Sequence, residues 1–349
     1  MNGFVAMSLA LAVSLGITAL LGFVLIPWLH KLKFGQVILD IGPNWHKHKQ
    51  GTPTMGGLMF IIGILLAIAV VLGIDFFLLG GRSMMPLSGG VRWRLLAGVG
   101  MAAAFGLLGF LDDYTKVVKK RNKGLSIAQK SVMQIIIIGG YLLVMILSMQ
   151  GSPSTLIPFV GRVGMPGWLF VLFGAVGIYA FVNAVNFTDG IDGLCSSVTV
   201  ITGTGLAVFA VMRGLFGAGV LTAALVGGCV GFLLWNRPPA KVFMGDTGSM
   251  FIGGLLLAIA FALETPVILL PMGIIYVIEF LSDVIQIGYF KATRGKRVFK
   301  MAPIHHHFEM SGWSEKKIDV VFCVINAIGV AVGLGVVYFG LRGMPGFVV

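Results

Sequence analysis

Charge is what this 349-residue chain has least of: Asp, Glu, Lys and Arg together make up 11% of it, and only 13 residues are acidic. Soluble domains carry about 25% charged residues, so the composition excludes a water-dissolved globular protein. Cysteine is equally scarce. Cys195, Cys229 and Cys323 lie in apolar helical text with no pairing spacing, which points to burial and not to a disulfide framework. No GxxxxGK[ST] phrase occurs, so any nucleotide is not held by a P-loop. Alternating ten-residue strands, low-complexity tracts, long repeats and a separate soluble domain are all missing, and a membrane β-barrel is thereby excluded.

Apolar residues are what the chain has instead. They make up 57% of it, and the mean hydropathy is +0.99. A membrane span needs about 20 mainly apolar residues, and ten such runs recur, at roughly 4–29, 55–74, 92–111, 132–149, 167–182, 194–213, 218–235, 249–264, 267–290 and 318–341. The expected fold class is all-α, a polytopic integral membrane protein of about ten transmembrane helices. The chain reads as one transmembrane domain over 1–349, with polar loops at about 30–54, 112–131, 183–193, 236–248 and 291–317. The first run has no basic residue before Pro27 and no small-residue cleavage signature behind it. It reads as a retained helix, not a signal peptide.

Positive charge is confined to alternate connections. Those after the first, third, seventh and ninth runs hold four, six, two and seven Lys or Arg, which is 19 of the chain's 25. The positive-inside rule makes these connections cytoplasmic and both termini extracytoplasmic. The net charge of +12 is then explained by topology and by attraction to anionic membrane lipids, and no nucleic-acid partner is expected.

The scarce acids fall on that same side. Asp112 and Asp113 stand in LDDYTK, Asp189 and Asp192 in NFTDGIDGL, Asp246 in KVFMGDTGS, and His305, His306 and His307 in PIHHHFE. Separate loops converging on one membrane face are what a site at that face requires. Each phrase also has a plainer reading. Lys116 stands at i+4 from Asp112 and i+3 from Asp113, so a continuing helix would simply pair them; adjacent carboxylates otherwise suit phosphate chemistry, as base or metal ligands. Asp192 is placed to cap the sixth helix, while Gly190 would let backbone amides approach a ligand, and Asn186 could bind a base or complete a metal shell. Asp246 or Ser249 could cap the eighth helix. Yet Asn236, Lys241 and Phe243 precede them, an amide, a cation and an aromatic face that suit a nucleotide. At most two of three consecutive histidines can face one site, and phosphate binding or proton transfer suits them better than structural zinc. Glu279 and Asp283 lie inside the ninth run with Gln286 on the same face, where they could be catalytic, transport-related or paired. Pro266 and Pro271 near its start could bend it.

LDDYTK, NFTDGIDGL, FMGDTGSM and PIHHHFE, in that order and with PTMGG at Pro53 to Gly57, resemble the bacterial phospho-N-acetylmuramoyl-pentapeptide transferases. The resemblance covers essentially the whole chain, and the histidine triplet separates this family from related polyprenyl-phosphate N-acetylhexosamine-1-phosphate transferases. It implies transfer from UDP-N-acetylmuramoyl-pentapeptide to undecaprenyl phosphate, giving lipid I and UMP, with Mg2+. It also implies a homodimer in the bacterial cytoplasmic membrane with its active site facing the cytoplasm. By the same resemblance Asp112 and Asp113 are essential acids, Asp246 is the metal ligand and Asn186 a further metal contact. Asp189 and Asp192 match active-site acids, Asn236 and Phe243 uridine-pocket positions, and His305, His306 and His307 the mouth of the cleft. Lys49, Thr54, Lys116 and Lys130 match polar positions around the groove.

Both substrates of such a reaction are anionic, so a cation and lysines are needed where the phosphates meet. Direct attack by the lipid phosphate, with Asp112 as base, is the expected mechanism; a phosphoryl-enzyme on an aspartate is the competing one. Transfer of N-acetylglucosamine-1-phosphate is the neighbouring alternative. Secondary transport, motivated by Glu279 and Asp283, lacks the repeated halves that transporters show.

Overall fold

The computed structural model describes residues 1–32, 51–78, 89–118, 124–149, 153–344 and 347–348. Its long helices are α1 (Gly3–Lys31), α2 (Gly57–Gly73), α3 (Gly89–Val118), α4 (Ile127–Ser148), α5 (Gly167–Thr188), α6 (Leu194–Met212), α7 (Phe216–Asn236) and α8 (Gly245–Ala262). A short α9 (Leu269–Met272), then α10 (Ile274–Ala292), a short α11 (Ile304–Glu309) and α12 (Glu315–Leu341) complete the chain. Among the described residues nine helices are long and apolar enough to cross a membrane, ten if the bent α9–α10 pair counts as one span. This is the architecture of a multi-pass membrane protein, as the apolar runs lead one to expect.

α8 lies at the centre and α1 and α12 at the rim: 83% of the apolar stretch of α8 is buried, against 22% for each of the other two. Small residues let the helices approach closely, as in membrane bundles generally. Gly109 of α3 abuts the carbonyl of Asp246, Gly57 of α2 abuts Gly248, and Gly254 of α8 abuts Ala102. Phe60, Phe232 and Phe251 then pack where α2, α7 and α8 meet.

The span before α12 is broken. Pro266–Met272 and Ile274–Ala292 are bent 86° apart, with the hinge at Gly273 and not at Pro266 or Pro271 themselves. A break inside the bundle frees backbone groups that lipid cannot satisfy. Side chains do so here. Thr202 donates to the Met272 carbonyl at 3.0 Å, and Asn326 accepts from the Ile275 N–H at 3.4 Å while donating to Thr202 at 2.9 Å.

One element was not expected of an all-α chain. Strands β1 (Ser154–Ile157) and β2 (Gly161–Gly164) form an antiparallel hairpin with Ser154 opposite Gly164. It docks on the α8 C-terminal end through Leu156 N–H to the Glu264 carbonyl at 2.7 Å. Glu264 there meets Arg162, Arg213 and Arg94 at 2.7, 3.4 and 3.6 Å.

Candidate active site

The apolar run of α3 ends near residue 111, but the helix does not. It continues to Val118, so Asp112, Asp113 and Lys116 stand on its last turns, not in a loop beginning at 112. Lys116 Nζ lies 2.6 Å from Asp112, 3.4 Å from Asp113 and 3.1 Å from Asp246. The i,i+4 pairing and the gathering of distant acids are therefore both present. Lys130, on the first turn of α4, reaches the same Asp246 oxygen at 2.8 Å. That turn is fixed by a capping box between Ser126 and Gln129.

Asp246 is on the first turn of α8, where the helix is capped by no side chain; the cap expected of Asp246 or Ser249 is not made. Asn186 closes α5 instead of standing in a loop, and its amide donates to Asp246 and to Ser249 at 2.8 Å each. Asp113 accepts from the backbone N–H of Thr247 at 3.0 Å and from its hydroxyl at 2.8 Å, a carboxylate at a helix N-terminus where the dipole favours it. Asp112 accepts from the Leu125 N–H at 2.7 Å. Asp112 and Asp113 are buried and Asp246 is partly exposed.

Oxygens of Asp112, Asp113 and Asp246 all lie within 4.8 Å of one another. Three carboxylates this close repel unless countercharge is present, and two ammonium groups leave the trio short by one. An oxygen-only donor set suits a hard divalent cation such as Mg2+, so the residues fit the metal that the resemblance implies.

Asp189, the residue after α5, joins the same centre. Burial, and then the charges of Asp246, Asp113 and Asp192, push its carboxyl well above the ordinary range, against a hydrogen bond from the Gly245 backbone. Asp192 does not cap α6. Gly193, at φ +83°, occupies the cap position, and Asp192 accepts from the Ala240 N–H at 2.9 Å. Asn236 is buried with its amide engaged at both ends, accepting from Gly193 N–H at 3.0 Å and donating to the Val242 carbonyl at 2.9 Å. It clasps the two site loops together and leaves Phe243 partly exposed beside them. Phe243 in turn pairs with the PTMGG segment: its N–H donates to Pro53 at 2.8 Å and its carbonyl accepts from Gly56 at 2.9 Å. Thr54 is thereby brought beside Gly245, whose φ of +74° and close approach to Asp113 and Thr54 leave no place for a side chain.

The histidines fan out to three partners. His305 Nδ1 meets Glu279 at 3.0 Å, His306 Nδ1 meets Glu309 at 2.6 Å, and His307 Nδ1 accepts from the Lys300 N–H at 3.1 Å. His305 abuts Gly190 and so adjoins the acidic centre. Glu279 is thus a paired acid, which removes one of the two residues that motivated a transport reading. Lys49 lies outside the described residues. Thr247 and Ser249 were missed from sequence: both stand in the GDTGS phrase, but their partners are more than 60 positions away.

Comparison with known proteins fits this geometry. Residues 95–264 match the model of glycosyl transferase family 4, which with the fold and the acidic centre defines a membrane-embedded transferase. Residues 49–61, which include the PTMGG segment, match phospho-N-acetylmuramoyl-pentapeptide-transferase signature 1. Phospho-N-acetylmuramoyl-pentapeptide-transferases of Listeria welshimeri and Acetivibrio thermocellus are each 44% identical to the chain, over 90% and 94% of it and 93% of each relative. A third, from Desulforamulus reducens, is 44% identical over 93% of the chain and 94% of that relative. The chain belongs to the phospho-N-acetylmuramoyl-pentapeptide transferase family.

Proposed function

We propose that this protein transfers phospho-N-acetylmuramoyl-pentapeptide from its UDP conjugate to undecaprenyl phosphate, giving lipid I and UMP. A phosphate oxygen of the lipid attacks the sugar-bearing phosphorus, the pyrophosphate bond breaks, and UMP leaves with the electron pair. The observation that carries this reading is the convergence of Asp112, Asp113 and Asp246, with Lys116 and Lys130, from three helices onto one point. Such a centre serves a reaction in which two anions meet.

The residues take distinct roles. Asp246, with Asp113 and Asn186, would hold Mg2+. Bound there, the ion would neutralise charge on the pyrophosphate oxygens. Lys116 and Lys130 exchange their carboxylate partners for phosphate oxygens as substrate enters. Asp112 takes the residual proton of the lipid phosphate as Lys116 leaves it for the substrate. Asp189, Gly190 and Asp192 line the donor side, Phe243 offers its ring to uracil, and Thr54 and Lys49 contact phosphate or sugar. His306 and His307 flank the pentapeptide end. The distribution of Lys and Arg supports a cytoplasmic site and extracytoplasmic termini in a bacterial cytoplasmic membrane, and the family resemblance supports a homodimer.

UMP release by purified protein in detergent tests the reading. It is expected only with UDP-N-acetylmuramoyl-pentapeptide, undecaprenyl phosphate and Mg2+ together. Equal release from UDP-N-acetylglucosamine would overturn the substrate assignment. A burst of UMP equal to the enzyme concentration, before lipid is added, would replace direct attack by a phosphoryl-enzyme.

A further inference from the structure

The polar face of α10 is unexplained by the acidic centre. Glu279, Ser282 and Gln286 lie on it one turn apart, and all three hold the segment that carries the histidines. Gln286 accepts from Val298 and Phe299 N–H at 3.0 Å each, and Ser282 accepts from Ile304 N–H at 3.0 Å. Ser282 also donates to the Glu279 carbonyl at 2.6 Å.

Glu279 makes the contact with chemical content. Its side chain and that of His305 are fully buried, with Oε2 3.0 Å from Nδ1. An ionised carboxylate there can only accept, which favours the imidazole tautomer with its proton on Nδ1. Nε2 is buried and has no hydrogen-bond partner, and a Cβ on Gly190 would collide with it. The imidazole edge thus rests directly on the turn that follows Asp189. Glycine at 190 is what admits it. Asp283, on the next turn of α10, is near enough for its charge to act on both Glu279 and His305.

We propose that Glu279 is a positioning residue for the transfer reaction, holding His305 in its Nδ1-protonated form so that the unprotonated Nε2 edge seats the Asp189–Gly190 turn against the acidic centre. The inference rests on the transferase reading above. A carboxylate behind an imidazole sets its tautomer and orientation in metal and hydrolase sites alike. The opposite tautomer would drive an N–H into the Gly190 backbone and displace Asp189.

Glu279→Gln keeps the size of the side chain but replaces a carboxylate, which can only accept, by an amide that can also donate, so protonation at Nδ1 is no longer imposed. It is expected to lower kcat for UMP release at least about 10-fold, as loss of such partners does, with KM for the UDP substrate and the thermal unfolding temperature near those of the parent. Glu279→Gln combined with His305→Gln should be no slower than the slower single variant, because the two act as one unit. An unchanged kcat in Glu279→Gln, or strictly additive losses, would overturn the proposal. Should Glu279→Gln not fold, 15N shifts of histidine-labelled parent protein decide, with His305→Gln giving the assignment. Protonation at Nδ1 is expected, and protonation at Nε2 would overturn it. Parent protein that releases no UMP would instead remove the transferase reading, whatever tautomer the spectrum reports.

Discussion

At the scale of single residues, Thr247 shows how the site is held. Its hydroxyl and N–H fix one oxygen of Asp113, leaving Asp112 and Asp246 to share the other partners. Thr247→Val keeps the shape and removes one hydrogen bond to a charged group. A loss of about 1.5–3 kcal/mol is expected, read as a lower unfolding temperature in detergent, together with slower UMP release. Glu264 gives a pH-dependent counterpart away from the site. Burial alone would raise its carboxyl, but the hydrogen bond and charge of Arg162, with Arg213 and Arg94, more than offset that and hold it below its ordinary value. A depressed folded value stabilises above the unfolded one, about 4.3, and that stabilisation fades as pH falls through the folded value. The parent should therefore unfold at a higher temperature than Glu264→Gln at pH 7, with the gap narrowing progressively as pH falls below about 4.3. A gap that does not narrow as pH falls would contradict the pairing.

The residue scale is also where the sequence misled. Asp192 and Asp246 look like helix caps because short acids before apolar runs usually are, but their oxygens go to Ala240 and to two lysines. Nothing local distinguishes the cases: the partners come from distant parts of the chain. The DDxxK pairing, by contrast, is set by helical spacing alone and was legible.

At the scale of elements, the acidic centre depends on how closely α3 approaches α8. Gly109 faces the Asp246 carbonyl, and a methyl group there would strike backbone that no rotamer change can move. Gly109→Ala is expected to cost about 1–3 kcal/mol and to slow UMP release at least about 10-fold, although every carboxylate and lysine is kept. Gly100, on the same helix with open space around it, is the control: Gly100→Ala should leave activity unchanged and gain up to about 1 kcal/mol of helix propensity. Equal activity in the two variants would contradict the close-packing account. Asn326 carries the corresponding weight at the α9–α10 break. Asn326→Leu leaves the Ile275 N–H unpaired inside the bundle, at a cost of about 1–3 kcal/mol in unfolding measurements.

Spans were legible because bilayer thickness dictates their length. Their ends were not. α3 runs past the apolar text to Val118, α5 takes in Asn186, and α8 begins one residue before Asp246, because charged turns that pair with one another can stay helical. The hairpin at 154–164 and the hinge at Gly273 were hidden for another reason. Each is fixed by tertiary contacts, to Glu264 and Gly340 in the first case and to Thr202 and Asn326 in the second.

At the scale of the whole molecule, the fold separates two charge clusters along α8, a helix of 18 residues and so about 27 Å long. Acids balanced by lysines stand at its first turn, and three arginines around one glutamate stand past its last. On the proposed function, side chains from three distant stretches, carboxylates from two of them and the Asn186 amide from the third, hold one cation at the first of these ends. Fe2+ substituted for Mg2+, with ascorbate and peroxide, cuts a backbone close to where the ion binds, and mass spectrometry locates the cuts. Cleavage is predicted within a few residues of Asp112–Asp113, of Asn186–Asp189 and of Asp246, suppressed by excess Mg2+. Cuts confined to one of these stretches, cuts near Glu264, or cuts insensitive to Mg2+ would contradict it.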